Sequence, residues 1–279
     1  TAQISVIETE DIAALETRQV RALSSIQLGG LSTGQLAALT TDQFLGFSTG
    51  QVASLSSAQV STYDTAELPA WSTSQVRALT SAQIGALTTD QVSVLSVDQI
   101  QNAAATQIAA FTTAQLVALT TEQVEALSTA SILALNSAQV ASMETQDFSV
   151  LLTSQVSLLG SAQAASLTTD QIVSLTTDQI SALSINAVSA LSTEQIVAIE
   201  TADIEVLKRS QVLALSTLEF SALTTGQIVA LTTWQIPILT TKQVAALSTA
   251  QAFAIETVDL AVLTSIHINA LTTEALTAL

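Results

Sequence analysis

Leu87-Thr88-Thr89-Asp90-Gln91-Val92 carries the pattern on which the whole chain turns. A Ser or Thr followed three residues later by Gln is a capping box. The hydroxyl accepts from a backbone N–H at the start of a helix, and the Gln side chain reaches back to the N–H of the cap residue. Thr88 is then the N-cap and Gln91 the third helical residue, N3. Leu87, just before the cap (N′), and Val92, just after the Gln (N4), occupy the two positions that pack together as a hydrophobic staple. The stretch predicts a helix starting at Thr89.

Working outward, the same pattern returns every eight residues. The N′ column runs Ile7, Leu15, Leu23, Leu31 and so on to Leu279, with 35 members, and only Ala103 is small. The N4 column runs from Ile4 to Leu276, again with 35 members, and only Ala164 and Ala252 are small. Gln holds N3 in 25 of 35 octads, and Ser, Thr, Asp or Asn holds the cap in 25 of 34. No insertion breaks the register, so residues 1–279 read as one octapeptide-repeat array, Leu-[Ser/Thr]-Thr-x-Gln-[Ile/Val]-x-Ala. Thr1 and Leu279 both fall inside the consensus rather than in polar end repeats, the chain opens without Met and shows no signal peptide. These features lead us to expect a segment of a longer array.

A period of eight is informative because it suits neither regular element. In a strand, Leu87 and Val92 point to opposite faces, which excludes a one-sided sheet. In a continuous helix, eight residues make about 2.2 turns, so an apolar stripe drifts by about 80° per repeat. One short helix per octad remains. The expected fold class is all-α, a superhelical solenoid of about 35 very short capped helices, with a β-solenoid as the alternative. An octad buries too little to order itself, so each must lean on its neighbours. Pro69 and Pro237 at N5 fit helices of one or two turns. Ala, or Gly30 and Gly46, at the next position allows close approach. The variable N2 and N5 positions, including Asp42, Arg77, Glu122, Trp234 and Phe253, are expected to face outward. Residues 101–106, Gln-Asn-Ala-Ala-Ala-Thr, lose the Leu and the cap together, and two octads are expected to fuse there into a longer helix that acts as a joint. Leu207-Lys208-Arg209 also lacks a cap and reads as an irregular turn with solvated charges, with a partner contact as the alternative.

Composition narrows the function. The chain is 48% hydrophobic but only 3% aromatic and 10% charged, with 23 acidic against 6 basic residues and a net charge of −17. Such a field repels nucleic acid. Mean hydropathy is +0.52, yet Ser, Thr or Gln interrupts every apolar run, so no membrane insertion is expected. With no cysteine there is no disulfide, thiol nucleophile or cysteine metal site. No phosphate-binding loop or metalloprotease signature occurs. The one histidine, His267, stands in the Gln column as a replacement rather than as a catalytic base. The chain is expected not to be an enzyme, with no catalytic or cofactor-binding residues and no cofactor.

Acidic residues form one longer pattern. Glu144/Asp147, Glu200/Asp203 and Glu256/Asp259 recur every 56 residues, and Glu8/Asp11 and Asp64/Glu67 are also 56 apart. Stacked by whole superhelical turns, the first three pairs are candidate Ca²⁺ ligands. The plainer reading is a duplicated seven-octad block whose acids suit helix N-termini.

The run Leu-Thr-x-x-Gln-Val-x-Ala resembles the first-helix stretch of TAL-effector DNA-binding repeats. The likeness spans eight residues, without the base-reading loop, and marks shared capping chemistry. Over its whole length the array resembles the Ser/Thr/Gln-rich octad tracts of very large bacterial secreted or surface proteins, adhesin-like in character. That resemblance implies an extracellular spacer or stalk at the cell surface, associating with itself or with neighbouring repeats. A scaffold binding a protein, peptide or glycan along one face is the second reading. An ice-binding surface on the Thr rows is a third, since 31 of 35 N1 positions are Ser or Thr.

Overall fold

The computed structural model describes residues 4–277 and residue 279. Among these residues there are thirty-two α-helices, each of four to six residues, two 3-10 helices and no strand. The all-α reading holds and the β-solenoid is excluded.

Each octad builds its helix as the capping grammar requires. Thr88, with φ −72° and ψ 161°, is the extended N-cap of Thr89–Ser93; its hydroxyl accepts from the Gln91 N–H, and Gln91 answers to the Thr88 N–H. The same cap that starts one helix ends the one before it, because an N-cap needs β-region dihedrals that a helix cannot continue through. The N′ residue is extended as well: Leu79 has φ −60° and ψ 133° and Thr80 has φ −72° and ψ 160°. Two extended residues in eight redirect the chain, and each Leu N–H closes the preceding turn on the N4 carbonyl, as from Leu87 to Ile84. Where Pro occupies N5 the last turn tightens to a 3-10 helix, Leu68–Ala70 and Ile236–Ile238, which spares the missing N–H.

The chain divides into two compact units, Thr1–Leu135 and Asn136–Leu279. Within each unit the short helices pack against helices three octads away: Ser25–Gly29 against Thr49–Ala53 in the first, Thr177–Ala182 against Thr201–Val206 in the second. Each unit is therefore a coil of stacked octads. The N′ and N4 columns fill its inside, as Leu87 (4% exposed) and Val92 (0%) illustrate. In the first unit the coil also gathers Phe44, Phe47, Tyr63 and Trp71: Phe44 stacks on Trp71 at 4.0 Å, and Tyr63 meets Trp71 edge-on at 5.0 Å. The Tyr63 hydroxyl and the Trp71 indole N–H are buried without a hydrogen-bond partner among the described residues. Burial, and then the charge of Glu67, pushes the Tyr63 hydroxyl well above its ordinary pKa.

The weak stretches keep the octad form. Val97–Gln101 and Ala105–Ile108 are separate helices, so the expected fusion into one longer helix does not occur. Ala104 is extended (φ −70°, ψ 145°) although it has no side chain to cap with, and its N–H is still taken by Gln107 at 2.9 Å. Lys208 behaves alike, its N–H donating to Gln211 at 2.8 Å ahead of Arg209–Ala214. The Gln half of the box suffices to place a helix start where the hydroxyl half is lost.

Candidate functional site

The most specialised side chain in the fold is the N3 glutamine. Gln99 accepts the Ser96 N–H through Oε1 at 2.7 Å, and through Nε2 it donates to the carbonyls of Leu68 (2.9 Å) and Trp71 (2.7 Å), 31 and 28 residues earlier. Gln171 makes the same bonds to Thr168 (2.9 Å), Val140 (3.1 Å) and Met143 (2.7 Å). A helix of five residues leaves its last carbonyls without intrahelical donors. The glutamine of the next turn supplies one, so a single side chain caps the N-terminus of its own helix and the C-terminus of another. This explains why these polar side chains are almost fully buried, Gln171 to 1%. Serines at N1 add links forward along the coil: Ser57 donates to the Ala82 carbonyl at 3.1 Å and Ser161 to that of Asn186 at 3.0 Å. The helices pack at 24 residues and the clips reach 28 to 31, so one turn of the coil takes a little over three octads.

Residues that replace Gln show which half of the clip each can make. His267 makes both. Its Nδ1 accepts the Thr264 N–H at 3.4 Å and its Nε2 lies 2.9 Å from the Leu239 carbonyl, an arrangement that calls for the Nε2–H tautomer. Glu219 makes one, accepting the Ser216 N–H at 2.6 Å with no N–H to offer the turn behind. Asp147, Asp203 and Asp259 are a methylene shorter and are buried at N3. Burial raises the Asp147 carboxyl to about 6 against a hydrogen bond from the Glu144 backbone, and the Glu144 charge adds to the rise. Burial likewise raises Asp203 and Asp259, helped by Glu200 and Glu256.

The candidate cation ligands are not brought together. Glu144, Glu200 and Glu256 are exposed N-caps whose side chains make no cap hydrogen bond. Neighbouring turns lie 24 to 31 residues apart, so pairs separated by 56 residues have a whole turn between them. Among the described residues no group of three or more His, Cys, Asp or Glu side chains is placed to hold a metal ion. Glu8 and Asp11 are exposed; Asp64 is exposed and turns its carboxylate to the Ala66 N–H, while Glu67 accepts from the Thr41 hydroxyl.

The outside of the second unit's coil carries grooves between successive turns, such as the shallow one around Glu144 and Thr168. One in the second unit differs: a trough of about 650 Å³ lined by Trp234, Pro237, Ile238, Leu207, Arg209 and Glu205 among others. Trp234 is 87% exposed there, as expected for an N2 residue, while Trp71 in the N′ column is buried.

The arrangement defines a class: an all-helical repeat protein in which each octad forms one short helix, most of them capped, and N3 glutamines clip turns to those before them within each unit. Within that class, the sequence matches the ALTTAQ repeat over residues 4–41, 62–89, 73–102, 104–129, 140–177 and 196–233, well over half of its length. The chain belongs to the ALTTAQ repeat family, whose hexapeptide name is the closing Ala of one octad followed by the first five residues of the next. No curated protein matches it. Among the described residues no helix is long and apolar enough to cross a membrane.

Proposed function

We propose that this tract is a non-catalytic spacer or stalk of a large bacterial secreted or surface protein. The observation that carries the reading is the destination of the polar atoms. Hydroxyls at the caps, and both ends of most N3 amides, are engaged in starting helices and clipping turns, as in the Thr168–Gln171 box with its bonds to Val140 and Met143. Little chemistry is left over. What the repeated bonds supply instead is a unit that lengthens by simple addition, since each new octad finds its partners in octads already present. Low charge and absent cysteine agree with exposure outside the cell. Antibodies raised against the tract test the proposal on the source cells. Labelling of intact, unpermeabilised cells or recovery from the medium is expected; antigen confined to the cytoplasmic fraction refutes it.

A further inference from the structure

We propose that the trough at Trp234 is a binding site for a neutral oligosaccharide, independent of the spacer reading. One departure from the octad consensus, Arg209 at N1, and three residues at its variable positions, Glu205 at N5, Trp234 at N2 and Pro237 at N5, line one groove though spread over 33 residues of sequence. N1 is Ser or Thr in 31 of 35 octads, and Arg209 is the only charged residue in that column. The coil places residues 24 to 31 apart on adjacent turns, which is how these scattered substitutions come to face each other. Pro237 tightens the helix end to 3-10 beside the indole and leaves its own apolar ring exposed. A volume of about 650 Å³ falls in the range of small-ligand sites.

The available groups decide the ligand class. The backbone beneath the trough is already engaged, with Gln235 Nε2 donating to the Ile204 carbonyl at 2.8 Å and to that of Leu207 at 2.9 Å. A peptide seeking main-chain hydrogen bonds finds few there. What remains is an exposed indole face, a guanidinium with fixed N–H donors, a carboxylate that only accepts, and the Thr233 hydroxyl, that of Thr232 being donated to Gln235. Arg209 makes no ion pair among the described residues. Those groups complement a pyranose, whose C–H face stacks on an aromatic ring while its hydroxyls donate and accept in the ring plane. The net charge of −17 disfavours polyanionic glycans and leaves neutral ones.

Tryptophan emission tests this on the whole chain, because Trp71 is buried and Trp234 reports alone on solvent. The probes are cellotriose, maltotriose, laminaritriose, mannotriose and chitotriose, and phospholipid vesicles as the competing surface. At least one trisaccharide is expected to give a saturable blue shift in the millimolar range or tighter. Calorimetric titration with that sugar should show binding abolished in Trp234→Ala and weakened about tenfold or more in Arg209→Ser. Ser is the ordinary N1 residue and Ala a common N2 residue, so both variants should keep the parent circular dichroism spectrum. Absence of a saturable response to every sugar, a response to vesicles alone, or binding that survives Trp234→Ala each overturns the proposal.

Discussion

Gln171→Glu separates the two halves of the clip. Glutamate keeps an oxygen for the Thr168 N–H, as Glu219 does for Ser216 at 2.6 Å, but removes the donations to the turn behind, those to Val140 at 3.1 Å and Met143 at 2.7 Å and a longer one to Ala141 at 3.4 Å. The buried Met143 carbonyl is orphaned, at about 1–1.5 kcal/mol, near the low end for buried unsatisfied groups, while the Val140 carbonyl loses one of two donors and keeps the Met143 N–H at 3.2 Å. Facing them with a carboxylate adds a desolvation penalty. The expected loss is at least about 2–3 kcal/mol. Thr168→Ala, which deletes only the hydroxyl half, should cost about 1 kcal/mol. Asp170→Ala at the neighbouring exposed position should stay within about 0.5 kcal/mol. A repeat array need not unfold in one step, so amide hydrogen exchange read peptide by peptide is the assay, with urea titration beside it. Lost protection in residues 137–143, a full turn from the mutation, is the signature of a broken clip. If Gln171→Glu costs no more than Thr168→Ala and leaves residues 137–143 protected, the Nε2 bonds contribute nothing and the reasoning fails.

Three further outcomes follow from single positions. Gly46 and Gly50 should respond oppositely to Ala: a Cβ at Gly46 would lie 2.7 Å from Thr17 Cγ2 and 3.0 Å from Arg21 Cγ, while one at Gly50 meets nothing within 4 Å. Thermal melts should show a loss of about 1–2 kcal/mol for Gly46→Ala and a gain of about 0.5–1 kcal/mol for Gly50→Ala. Asp147 has a carboxyl raised to about 6 from 3.8, so it favours the folded state when neutral, and that contribution is lost as pH rises through 6. The melting temperature of Asp147→Asn should therefore exceed the parent's at pH 7.5 and converge on it near pH 4, and a constant difference would refute the assignment. Phe148, fully buried at N4, should cost about 3–5 kcal/mol on replacement by Ala in the same urea titration.

Most of the local structure was legible because it is written within eight residues. Thr88 and Gln91 form the box that their spacing predicts, and Leu87 and Val92 face inward. The reach of Gln171 to Val140 was not legible, since its acceptors are backbone carbonyls that any sequence would offer, 28 and 31 residues away. A signal did exist. A capping box accepts Glu or Gln at N3, yet this chain has 25 Gln against two Glu in that column, a preference that only a need for the N–H explains. Residues 101–106 were misread for a related reason: the loss of the Ala104 hydroxyl looked decisive, while the Gln107 amide kept the bend. The acidic pairs have a whole turn of the coil between them, a distance set by the turn length, which the octad period does not contain. The convergence of Arg209 and Trp234 depends on the same quantity.

The clip is therefore where the account stands or falls, and the Gln99 side chain in glutamine-labelled protein offers the most direct view of it. Nuclear Overhauser contacts from its amide protons to the backbone of Leu68 and Trp71, together with slow side-chain exchange, are predicted from bonds of 2.9 and 2.7 Å. Amide protons that exchange as in free glutamine and show contacts only within Ser96–Ile100 would contradict it.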